Sequence, residues 1–147
     1  MLDGLFVTPA VTAISEALMS AAASHGRIVV VGNAKLATAL GASREVIAVG
    51  MSARAAKKFG AVHPDTSALE PASCAAVVGV DVTEDGQWST TLAAWSRCVR
   101  DGGAIILVDK GHAAEASRRA LCAGLTELEQ RHAGRAVITS GLVSHLE

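Results

Sequence analysis

The sequence predicts an α/β fold with a doubly wound, mainly parallel sheet and helices on both faces, built as one domain over residues 1–147. Three observations carry that prediction. Four apolar runs rich in β-branched residues, Ile28–Val31, Val46–Val49, Ala75–Val80 and Ala104–Val108, show no polar alternation, as expected of strands buried on both faces. Segments with apolar residues at helical spacing lie between them, so strands and helices alternate as βαβ crossovers require. A chain of 147 residues also suffices for one core without metal or disulfide support.

The elements follow in order. Thr8-Pro9 reads as a helix start, a hydroxyl cap followed by proline at the first helical position, and Val11, Ile14, Leu18 and Ala21 then share one face up to Gly26. The first strand, Ile28–Val31, ends at Gly32-Asn33; a short helix from Ala34 to Leu40 stops at Gly41, and Val46–Val49 is the second strand. Ser52 caps a helix from Ala53 to Phe59, and Ala61-Val62 is a short third strand. Pro64 and Pro71 bracket a loop before the fourth strand, Ala75–Val80. Trp88, Leu92, Trp95 and Val99 form a helical stripe that runs into Asp101-Gly102-Gly103 and the fifth strand, Ala104–Val108. A long helix is expected from Ala113 to His132 with Leu121, Leu125 and Leu128 inward, then a last strand at Ala136–Thr139. With the helix drawn that far, only Gly134 to Glu147 remain to finish the sheet. An incomplete edge would expose unpaired backbone, so self-association as a homodimer is expected through that edge or the neighbouring helices.

Composition narrows the function. Thirteen basic and fourteen acidic residues leave a net charge of −1, which gives no electrostatic reason to expect nucleic acid or a polybasic membrane contact. Two Trp, two Phe and no Tyr against 29 Ala leave few stacking platforms for bases or sugars. No basic cluster precedes the apolar first 25 residues, and Glu16 interrupts them, so they read poorly as a signal peptide. No segment reaches the roughly 18 uninterrupted apolar residues of a membrane span. Cys74, Cys98 and Cys122 are an odd number and far apart, which fits buried free thiols in a reducing cytoplasm. His25, His132 and His145 match no metal-site spacing.

In a doubly wound sheet, ligands bind beyond the carboxyl ends of the strands, where strand order reverses. That directs attention to Gly32-Asn33-Ala34, Gly50-Met51, Pro64-Asp65-Thr66, Val80-Asp81 and Asp109-Lys110. One glycine in Gly32-Asn33-Ala34-Lys35-Leu36-Ala37 is too few for a dinucleotide fingerprint, and no phosphate-cradling P-loop is present.

Taken in order, these segments resemble a class I S-adenosylmethionine-dependent methyltransferase from about Pro9 to Thr139. Arg27–Gly32 resembles that family's first strand and glycine loop, and Val46–Ser52 its second strand. Asp65–Leu69 resembles the segment after the third strand, and Cys98–Gly103 with Ile105–Asp109 resembles the family's R-x-L-x-P-G-G turn and fifth strand. The resemblance implies S-adenosylmethionine as cofactor, held by Gly32, Asn33, Gly50, Met51, Asp65, Thr66 and Val80. It implies Asp65 as a contact to the adenine amino group, with Met51 as an apolar wall. Asp81, just past the fourth strand, is the implied catalytic base, and Lys110 and His112 face a substrate from the same edge. His63 lines the pocket in this reading. Each position also has a plain alternative: Asp65 as a turn residue, Met51 as core, Asp81, Lys110 and His112 as solvated loop residues.

The sequence departs from the family where the cofactor binds. The loop form acidic-x-G-x-G-x-G is here Val30, Gly32, Ala34 and Leu36, and a Leu side chain at the third glycine can occupy the space of the methionine and ribose. The acid that ends the family's second strand is replaced by Gly50, removing an acceptor worth about 1.5–3 kcal/mol, or about 10- to 150-fold in affinity. Two readings therefore stand side by side. One is a small methyltransferase with an altered cofactor pocket, acting on an unidentified small molecule or protein. The other is a non-catalytic module of the same fold that acts through a partner protein or a second copy. Trp88 and Trp95 serve either as core packing or as a partner-binding patch.

Overall fold

The computed structural model describes residues 2–20, 26–42, 44–50, 62–63, 65–66, 69–81 and 86–145. Four helices are described, α1 (Leu2–Ser20), α2 (Ala34–Gly41), α3 (Trp88–Cys98) and α4 (Ala113–Cys122). The strands are β1 (Ile28–Val31), β2 (Val46–Val49), β3 (Val62–His63), β4 (Cys74–Val80), β5 (Val99–Lys110), β6 (Thr126–Ala133) and β7 (Ala136–Leu142). They form one sheet in the order β3-β2-β1-β4-β5-β7-β6. Pairing is parallel from β3 to β5 and antiparallel from β5 through β7 to β6. The helix expected at Ala53–Phe59 lies outside the described residues.

Strand side chains alternate between two faces, and each face carries its own core. Ile28, Val30, Val78, Ile106, Val108 and Ile138 pack against α1 and α2, where Ile14, Leu18, Leu36 and Leu40 meet them. Val29, Val77, Ile105 and Leu107 pack against α3 and α4 through Leu92, Trp95 and Ala120. The aromatic shortage is met by one close fit. Trp95, 5% exposed, lies over Gly79 of β4, and a side chain on that glycine would overlap the indole ring.

Two expectations are corrected. The first helix begins at Leu2 and runs through Pro9. Proline therefore removes one bond from the ladder there instead of opening the helix. The long helix over Ala113–His132 is two elements. α4 stops at Cys122 because Gly124 takes a left-handed φ of +87°, and the chain returns as β6. Leu121 is exposed in consequence, whereas Leu125 and Leu128 pack over Gly141 of β7. The antiparallel pair is thus complete, joined by a turn in which Gly134 has φ +62°. The edge on this side of the sheet is β6, which carries Glu127, Glu129, Arg131 and His132; charge of this kind blunts strand addition.

Candidate functional site

Four parallel strands end on one line. Val31 is in register with Val49 on one side and Gly79 on the other, and Val80 with Val108. Adjacent strands lie about 4.8 Å apart, so Gly50, Gly32, Asp81 and Asp109 follow one another along the carboxyl edge. Strand order reverses between β1 and β4, because the connection after β1 goes to the α1 face while that after β4 goes to the α3 face. The crevice between diverging connections is where such sheets bind ligands.

Gly32 stands at that point. Its N–H donates to the Val49 carbonyl at 2.9 Å, its φ is +77°, and a Cβ built there would meet none of the described residues within 4 Å. Bare backbone therefore faces open space. Asn33 leaves β1 in an extended conformation, and its Oδ1 accepts the Leu36 N–H at 2.9 Å, which caps α2. Leu36 is 2% exposed and packs into the α1-side core. The side chain expected to fill the methionine and ribose space is turned away from it.

Gly50 is exposed with φ +67° and supplies no side-chain acceptor at the end of β2. Val80 is half-buried against the α1-side core. Asp81 is exposed with a left-handed φ of +60°, and its N–H donates to the Val108 carbonyl at 2.8 Å. A non-glycine residue in that region costs strain, and such strain is found at functional sites more often than elsewhere. Lys110 and His112 are exposed on the same edge, with His112 left-handed at φ +60° ahead of α4. His63 ends β3, and Met51 and His25 lie outside the described residues.

Asp65 and Thr66 separate. Asp65 is exposed, whereas Thr66 is buried, and its carbonyl accepts from Arg97 Nη2 at 3.0 Å and from Cys98 Sγ at 3.3 Å. Those partners sit at the end of α3, next to the amino-terminal edge of the sheet.

Asp109 joins the site as a fully buried acid, at the position after the register pair that aligns Asp81's strand with β5. By alternation from Leu107 it points to the α3 and α4 face. The acid that closes the apolar run Ile105–Val108 was the signal for it. The loop after it is anchored from β6: Gln130 Nε2 donates to the Ala113 carbonyl at 2.8 Å, Ser117 Oγ at 3.0 Å and Thr139 Oγ1 at 3.0 Å. On the α3 and α4 face the two tryptophans differ. Trp95 is core, while Trp88 is half-buried with the guanidinium carbons of Arg118 and Arg119 at 5.5 and 5.3 Å from its ring centroid. Both arginines bond Glu115, and those hydrogen bonds hold its carboxyl down to about 2.

Among the described residues no three His, Cys, Asp or Glu side chains gather as a metal site, and no helix is long and apolar enough to cross a membrane.

No protein-family model matches the sequence, and no curated protein sequence matches it. Solved structures do match its fold. A Methanococcus maripaludis protein assigned to the S-adenosyl-L-methionine-dependent methyltransferases superposes with a TM-score of 0.73 at 12% identity, over 97% of this chain and 89% of that one. An O-methyltransferase family protein from Burkholderia thailandensis gives 0.66 at 19% identity, over 95% of this chain and 56% of that one. The T. thermophilus 16S rRNA N2 G1207 methyltransferase, solved with AdoMet and guanosine, gives 0.63 at 15% identity over 82% of this chain, which spans only 36% of that enzyme. The chain has the Rossmann-like fold of class I S-adenosylmethionine-dependent methyltransferases.

Proposed function

We propose that this chain, built on the class I methyltransferase fold, binds S-adenosylmethionine in the crevice between the ends of β1 and β4 and acts as a methyltransferase. One observation carries the reading most. Gly32 presents bare backbone to open space at the point where strand order reverses, and Leu36, which replaces the family's third glycine, is buried in the core and leaves that space clear. The residues present fit the cofactor there. Gly32, Asn33 and Val80 would hold it, with Gly50 beside them and Asp65 toward the adenine. When bound, S-adenosylmethionine supplies an electrophilic methyl group. The chain's own part is alignment of the nucleophile and removal of its proton. Asp81, an exposed carboxylate at the mouth of the crevice, accepts that proton.

Gly50 favours a second reading. With no carboxylate at the end of β2, ribose recognition loses its strongest acceptor. A non-catalytic module that works through a partner protein, or through a second copy, accords with that loss.

Calorimetric titration with S-adenosylmethionine and S-adenosylhomocysteine separates the two. Saturable binding in the micromolar range is expected and excludes the cofactor-free module. No heat and no thermal shift at millimolar ligand would sink the enzyme reading. For the module, light scattering at micromolar protein tests the second copy, and a monomer counts against it.

A further inference from the structure

Two of the three thiols lie together at the amino-terminal edge of the sheet, away from the crevice. Cys74 opens β4, Cys98 closes α3, and Cys74 is in register with Val99, the residue that follows Cys98. Neighbouring positions on adjoining strands have Cα atoms about 5–6 Å apart, a span that disulfides bridge. Both side chains belong to the α3-side core and are 2% and 0% exposed. Cys74 Sγ donates to the Cys98 carbonyl at 3.2 Å, and Cys98 Sγ to the Thr66 carbonyl at 3.3 Å.

Cys98 is set apart by Arg97, whose Nη2 stands 3.6 Å from its sulfur. Arg97 also lines an open groove of ≈ 600 Å³ together with Pro71, Ala72, Ser96 and His145. Solutes in that groove reach the side chain that contacts Cys98.

We infer that Cys98 and Cys74 are a redox pair, in which a hydroperoxide entering by this groove oxidises Cys98 and Cys74 then closes a disulfide. The Cys98 thiolate attacks a peroxide oxygen, the O–O bond breaks, and the departing hydroxide is protonated to water, leaving a sulfenic acid. The Cys74 thiolate attacks that sulfur, the S–O bond breaks, and hydroxide again leaves and takes a proton as the S–S bond forms. Two thiols are oxidised and one hydrogen peroxide is reduced to two waters.

The order of attack follows from the surroundings. The Arg97 guanidinium, 3.6 Å from the Cys98 sulfur, sets a positive charge beside the point of first attack. Cys74 is pushed up to about 12, first by burial and then by the charge of Cys98, so it is the thiol that attacks second. Oxidation also removes the Cys98 S–H that bonds Thr66, and so loosens the segment just after β3.

The test uses the full chain carrying Cys122→Ser, a change at an exposed position that leaves both core thiols in place. After hydrogen peroxide at neutral pH, the denatured protein is expected to lose both thiols together and to be about 2 Da lighter, reversibly with dithiothreitol. Digestion should give one fragment linking Cys74 to Cys98. Adding Cys74→Ser should trap Cys98 as a sulfenic acid that dimedone labels. Retention of both thiols, or advance of Cys98 to a sulfinic acid while Cys74 stays free, overturns the pairing.

Discussion

Gly79 shows how one missing side chain organises a face of the sheet. Trp95 rests on the backbone it leaves bare, so Gly79→Ala should cost about 1–3 kcal/mol through overpacking, read as a lower midpoint in urea with an unchanged slope. Cys74 makes a second prediction at this scale. Its pKa rises from 9.0 to about 12 on folding, chiefly by burial, so the unfolded chain releases this proton first as pH climbs. The contribution is fully present below pH 9 and is lost toward pH 12, at up to about 1.4 kcal/mol per unit. Stability measured against pH in that window should fall, and the fall should flatten in Cys74→Ala. Glycine loops and acids at strand ends were legible as residue types in the sequence. The direction of Leu36 was not, because a helix's rotation about its axis depends on what α1 offers it to pack against.

Helix α2 is short, and short helices depend on their ends. Asn33→Ala should remove the bond to the Leu36 N–H and cost about 1 kcal/mol, whereas Asn33→Asp should retain it. Gln130 performs a comparable service between elements, tying the first turn of α4 to β6 and β7. Gln130→Ala leaves the buried Thr139 hydroxyl short of a partner and should cost about 1–3 kcal/mol. Amide exchange should quicken first in α4, and a uniform loss of protection throughout the sheet would refute this local role. The reading of Ala113–His132 as one helix failed at this scale for a definite reason. Leu121, Leu125 and Leu128 have helical spacing, but Gly124 turns left-handed between them, and Leu125 and Leu128 then serve the β6–β7 hairpin.

For the molecule as a whole, the completed antiparallel pair changes what the chain's modest length means. The sheet closes with a charged edge strand, so an unfinished edge no longer argues for self-association. Binding at the crevice, by contrast, should be visible in global stability. A ligand held only by the folded state at a hundred times its dissociation constant adds about 2.7 kcal/mol, so S-adenosylhomocysteine should raise the thermal midpoint in a concentration-dependent way. Asp81→Asn should leave that shift intact while lowering methyl transfer, since Asp81 is exposed at the mouth of the crevice and its backbone N–H, which the substitution keeps, bonds the Val108 carbonyl. A lost thermal shift in Asp81→Asn would place the residue in cofactor binding instead.

The alternation of apolar runs with helical stripes determined the strand identities of β1, β2, β4 and β5, and with them the parallel core and the edge at which a ligand would bind. Burial on two faces writes itself into consecutive residues, and consecutive residues are what a sequence displays. Tertiary structure decided the rest: that Leu36 points inward, that Thr66 leaves Asp65 to bond Arg97 and Cys98, that Cys74 meets Cys98, and that the chain after Gly124 is a strand. Each depends on partners distant along the chain, and pairing between distant segments has no local period to betray it.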